Sequence, residues 1–163
     1  MAPPAFLTST VASWAAFYDA HRMVSVTVRY LHLVGLVVGG GTALAADRRV
    51  LRAARSGLAD RSATVAALRA SHRVVVPALA VVVVTGGLMM ASDTATFLGS
   101  RLFWSKMGLV ALLLLNGAGL LAAEHAASRE RARGWPWLGL TSAGSLVLWL
   151  VLLFMGVWLT AAA

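Results

Sequence analysis

Four apolar stretches, centred on Val24–Ala46, Val74–Ala91, Leu102–Ala123 and Trp137–Thr160, take up most of the sequence. Their length constrains the chain more than any other feature. A bilayer core about 30 Å thick takes roughly 20 helical residues to cross. Hydrocarbon offers the backbone no hydrogen-bond partner, so each crossing is expected to be an α-helix that satisfies its own N–H and C=O groups. With 60% hydrophobic and 12% charged residues, the 163-residue chain leaves no length for a separate soluble domain. The sequence therefore predicts an all-α integral membrane four-helix bundle over residues 24–163, with spans at about 24–46, 72–91, 102–124 and 137–160.

Charge placement gives the expected orientation. Arg48, Arg49, Arg52, Arg55, Arg61, Arg69 and Arg73 gather at the first connection, and Arg129, Arg131 and Arg133 at the third. Only Arg22, Arg29, Arg101 and Lys106 belong to the opposite side. By the positive-inside rule both termini and the second connection face outward. The net charge of +8 then has a partner in anionic lipid headgroups, and nucleic acid is not required. No cysteine is present, which excludes disulfides, thiolate metal sites and iron–sulfur clusters. Residues 1–23 lack the basic start of a cleavable signal. Leu7, Val11, Trp14 and Tyr18 recur at helical spacing, predicting an outer helix lying in the interface.

The sequence also sets local expectations. Gly35, Gly39, Ala43 and Ala46 form a small-residue row that lets a neighbouring helix or a flat ligand approach the backbone. The first span is expected to continue to about Arg55 before Ser56-Gly57 stops it. Residues 60–70 then read as a separate amphipathic helix with Val65 and Leu68 inward, and Gly134-Trp135-Pro136-Trp137 as a turn with an aromatic anchor.

Polar residues inside spans are functional candidates because burial costs them several kcal/mol unless compensated. His32 lies about two turns inside the outer boundary, one turn before Gly35. Its imidazole suits a haem iron, a metal or a quinone, or alternatively a hydrogen bond to another helix. Lys106 enters the third span from the same side at a depth within roughly 6 Å of His32, where it lines the same outer pocket or snorkels to the interface. Asn116 sits near mid-membrane and needs a partner on another helix. His72 and His125 end their spans at matched depth, as a bis-histidine pair for a planar ligand or as boundary histidines. They lie some 15–20 Å along the normal from His32. Met89, Met90 and Met107, with Met23 and Met155, fall in the outer half. Together with His32 they suit Cu(I), or else fill gaps in the core. Asp47 and Arg73 are placed to clamp the first two spans as an ion pair.

Leu31-His32-Leu33-Val34-Gly35, Asp47-Arg48-Arg49-Val50-Leu51, Arg73 with Pro77, Thr85-Gly86, Phe103-Trp104-Ser105-Lys106-Met107, Asn116 and Ser145–Trp149 form an ordered set over residues 25–160. This set resembles small bacterial membrane proteins around the copper-resistance protein D (CopD-like) group, above all a branch without assigned activity. More distantly, His32 and Lys106 are similar to the corresponding residues of the HemJ-type protoporphyrinogen oxidases. The HemJ-type resemblance implies haem b near His32 and electron transfer, and the CopD-like resemblance implies copper handling at the outer face of the bacterial inner membrane. A third expectation is a non-catalytic subunit bound to membrane partners or to further copies of itself. No nucleophile–base pair, carboxylate dyad or phosphate loop points to hydrolysis.

Overall fold

The computed structural model describes residues 5–56, 61–129 and 134–161. These form six helices: α1 (Ala5–Ala20), α2 (Arg22–Ser56), α3 (Arg61–Ser92), α4 (Thr94–Gly99), α5 (Arg101–Ser128) and α6 (Gly134–Ala161). Four of them, α2, α3, α5 and α6, are long and apolar enough to cross a membrane. The protein is an all-α membrane bundle. Its outer surface carries side chains such as Val37, Leu115 and Val157, each at least 70% exposed. In water such a surface would drive aggregation; in lipid it is the solvated face.

Local chemistry sets the helix ends. Asp93 accepts the Thr96 N–H at the start of α4, and Ser100 accepts the Phe103 N–H at the start of α5. At the break between α1 and α2, the His21 carbonyl accepts the Ser25 N–H while the His21 N–H returns to Phe17. Residues 61–70 do not form a helix of their own. No breaker stands between Ala70 and Ser71, so they are the first turns of α3, and Val65 and Leu68 are buried within it. Pro77 consequently lies deep inside α3 rather than one turn from its start, where it withdraws one backbone donor. Gly134-Trp135-Pro136-Trp137 is likewise not a turn but the first turn of α6, whose free N–H positions tolerate proline.

The helices pack in the cyclic order α2, α3, α5, α6. Broad contacts join α2 to α3, α5 to α6 and α2 to α6, whereas the fourth side, between α3 and α5, is sparse. Where α2 meets α3, a Cβ on Gly35 would lie 2.8 Å from Val82 Cγ2, and one on Gly39 would lie 2.9 Å from Ala78 Cβ. The glycine row therefore admits a helix, not a flat ligand, at these two positions. One core cluster sits at the arginine-rich end, built from Ala46, Val50, Val65, Leu68, Leu120, Ala123, Ala127 and Leu138. A second, around Leu113, Trp149 and Leu152, fills the middle. The amino-terminal helix α1 docks on α3 and α2 at the other end. There Trp14 Nε1 donates to the Leu88 carbonyl at 2.9 Å, and Tyr18 is buried.

Candidate functional site

The antiparallel packing of α2 on α3 decides which residues meet His32. Gly35 faces Val82 and Gly39 faces Ala78, so one turn earlier on the same stripe His32 reaches Thr85 and Gly86. Its Nδ1 lies 3.0 Å from Thr85 Oγ1. The Thr85 hydroxyl has one proton, and that proton goes to the Val81 carbonyl at 2.6 Å, with the Val82 carbonyl 3.3 Å away. The hydroxyl is thus an acceptor toward His32, and Nδ1 is the donor. In the neutral ring the lone pair is then on Nε2. A Cβ on Gly86 would lie 3.3 Å from His32 Cε1, so the ring rests on α3 where a side chain is missing.

Lys106 reaches the same region from α5. It is half-buried, its charge acts on His32, and its Nζ would be 3.6 Å from a Cβ on Gly156 of α6. All four long helices therefore contribute: His32 from α2, Thr85 and Gly86 from α3, Lys106 from α5 and Gly156 from α6. The site adjoins the sparse α3–α5 side. Met89 and Met90 follow on α3 and Met107 on α5, all three half-buried. Thr85 and Gly156 are the members that local sequence pattern does not single out as partners. Thr85 lies 53 residues from His32, and only the helix register brings them together.

Asn116 bonds across to α6, donating Nδ2 to the Thr141 carbonyl at 2.9 Å, with its Oδ1 against Gly144. This satisfies a mid-membrane amide and ties α5 to α6.

The arginine-rich end differs from expectation in one respect. Asp47 and Arg73 do not pair. Asp47 is 1% exposed and turns to Ser142 and Ser145 of α6, while Arg73 stays on the exposed face of α3, where its charge keeps its solvation. The link between α3 and α5 is instead Arg69 to Glu124, with Nε donating to Oε1 at 2.9 Å. His72 and His125 are not presented to each other. His72 Nδ1 lies 3.4 Å from Glu124 Oε2, outside hydrogen-bond geometry, and His125 is on the exposed surface of α5. Adjacent helical residues point about 100° apart, so burying Glu124 turns His125 away. Among the described residues no three His, Asp or Glu side chains gather as a metal cluster.

Comparison with known proteins found no matching family model, no matching curated protein and no matching solved structure.

Proposed function

We propose that this multi-pass membrane protein is a haem b-binding redox protein that uses His32 Nε2 as an axial ligand. The observation that carries the reading is the fixed orientation of the ring. A metal-ligating histidine almost always donates its other ring N–H to a neighbouring acceptor, which fixes tautomer and direction. His32 has that arrangement through Thr85 Oγ1, whose own proton is held by the α3 backbone. Lys106 supplies a cation beside the imidazole, suited to a propionate or to the oxygen of a quinone. The loosely packed α3–α5 side gives a flat apolar molecule a lateral way in from lipid. The resemblance to HemJ-type proteins at His32 and Lys106 supports the same site. Haem supplies one-electron chemistry when bound; the residues named here bind it, orient it and offer it a counter-charge.

The arginine distribution supports a bacterial inner membrane with both termini outside, which puts His32 in the outer half. Copper handling is the second reading, favoured by half-buried Met89, Met90 and Met107 on the helices that carry Thr85 and Lys106.

The deciding experiment is an optical spectrum of the detergent-purified protein, oxidised and then dithionite-reduced, with a pyridine haemochrome assay. The expected outcome is stoichiometric haem b that disappears in His32→Ala. A colourless folded protein that binds Cu(I) through His32 would transfer the site to the copper reading. One that binds neither would leave a subunit of a larger membrane assembly, to be pursued through copurifying partners.

A further inference from the structure

Apart from the His32 region, the largest group of buried polar atoms without a regular hydrogen bond among the described residues lies between α2 and α6; the other such atom, Glu124 Oε2, belongs to a carboxylate already held by Arg69. Along α2 the stripe Gly40, Ala43, Leu44 and Asp47 faces α6: Gly40 packs on the Trp149 ring, and Ala43 and Leu44 join the core around it. The next residue on the stripe, Asp47, brings a carboxylate into the same contact, where α6 presents Ser142 and Ser145. Asp47 is 1% exposed, Ser142 0% and Ser145 5%. Neither carboxylate oxygen of Asp47 nor the hydroxyl of Ser142 makes a hydrogen bond of regular geometry, although Ser142 and Ser145 stand close enough to interact with the carboxylate. A serine in a helix ordinarily returns its hydroxyl to a carbonyl one turn back, as Thr141 does; Ser142 does not.

Unpaired burial of a carboxylate is among the costliest arrangements a protein can hold. Neither carboxylate oxygen takes a hydrogen bond from a cation among the described residues. Arg48 and Arg49, next in sequence, are exposed, and α6 carries no charged residue between Gly134 and Ala161. The other buried acid of this end, Glu124, already has Arg69.

We propose that Asp47, Ser142 and Ser145 form a binding site for one monovalent hard cation, with sodium as the ion to test. The donors are all oxygen, which selects against soft Cu(I) and separates this site from the methionines near His32. Their summed charge is one negative. A monovalent ion therefore makes the buried site neutral, whereas a divalent ion would leave a net positive charge in the bundle interior. Water completes the coordination shell, as is usual for buried polar groups with few protein partners. The bound ion joins α2 to α6, the contact on which the two helix pairs meet.

The test is thermal unfolding of the full-length detergent-purified protein near pH 8, with sodium chloride exchanged for choline chloride at constant ionic strength. Raising sodium from about 1 to about 100 mM should raise the midpoint by several degrees, as ligand linkage requires. Potassium should act more weakly. Ser142→Ala, a small change that removes only the hydroxyl, should need about tenfold more sodium for the same shift, and Asp47→Asn should melt independently of sodium. A midpoint equal in sodium and choline overturns the proposal. So does a sodium effect that persists undiminished in Asp47→Asn, which would place the ion elsewhere. A midpoint that rises on acidification but ignores sodium also overturns it, since a proton would then be what neutralises Asp47.

Discussion

The two ends of this bundle solve opposite problems. At the arginine-rich end all four long helices close on one another: Val50, Ala123 and Leu138 are fully buried, and the Arg69–Glu124 bond bridges the α3–α5 side. At the other end that side lacks any such bridge among the hydrogen bonds and ion pairs described, and half-buried His32 and Lys106 stand beside it. The contrast follows from what each side chain can reach. Glu124 is buried and carries a charge, so its stability depends on a cation brought from α3. His32 is neutral-capable and needs only a hydroxyl. A closed end anchors the helices, and an open end holds an imidazole oriented by Thr85.

The contrast breaks most completely at Gly134. A Cβ there would lie 2.6 to 2.8 Å from main-chain atoms of Ala126 and Ala127, at the end of α5. Backbone cannot swing aside as a side-chain tip can, so Gly134→Ala should cost about 3 kcal/mol or more. Loss of helical signal at lower temperature, followed by circular dichroism in detergent, checks this. The same substitution at Gly87, which has no neighbour within 4 Å, should be neutral.

Next in size is the bridge. Removing Arg69 leaves Glu124 buried and charged, whereas removing the Glu124 charge leaves an arginine that is already 60% exposed. Arg69→Ala should therefore destabilise by about 2 kcal/mol, between the limits for exposed and buried pairs. Glu124→Gln should cost less, and the double variant should resemble Glu124→Gln alone. Equal losses from both single variants would mean that the two residues do not act through one another.

Much of this architecture is legible in the sequence, and the reason is hydropathy. Apolar length fixes the spans, and Ser56-Gly57 marks the end of α2. What hydropathy does not carry is direction around a helix. Asp47 and Arg73 share a depth, which suggests a clamp, yet Asp47 belongs to the α6-facing stripe begun by Gly40, and Arg73 points outward. The glycine row divides in the same way: Gly35 and Gly39 receive α3, while Ala43 joins the core around Trp149 and Ala46 the arginine-rich core. Depth is read from position along the chain; partnership depends on register between helices. His32 with Thr85, and Arg69 with Glu124, span 53 and 55 residues, and no local pattern encodes either pair.

At the open end the sharpest probe is Thr85→Val, which keeps shape and removes the hydroxyl. The fold should be retained, because Thr85 bonds only its own helix and His32. Loss of an outer-shell hydrogen bond to a ligating histidine typically costs about 10- to 100-fold in affinity. Haem retention on dilution in detergent measures this directly. Unchanged retention would mean that His32 orientation does not depend on Thr85.

The smallest effect concerns α1, which docks on this less tightly closed end. Trp14 reaches the Leu88 carbonyl next to Met89, and Tyr18 hydrogen-bonds the Ser25 carbonyl at 3.4 Å. The indole bond is the shorter of the two and the one that crosses to α3. Trp14→Phe keeps the aromatic contact with Tyr18 and deletes only that bond, at a cost of about 1 kcal/mol. Because the loss is confined to the α1–α3 contact, it should appear as faster amide exchange in α1, with the exchange of α5 and α6 at the arginine-rich end unchanged. Uniformly faster exchange would mean instead that α1 stabilises the whole bundle and that the two ends are not energetically separate.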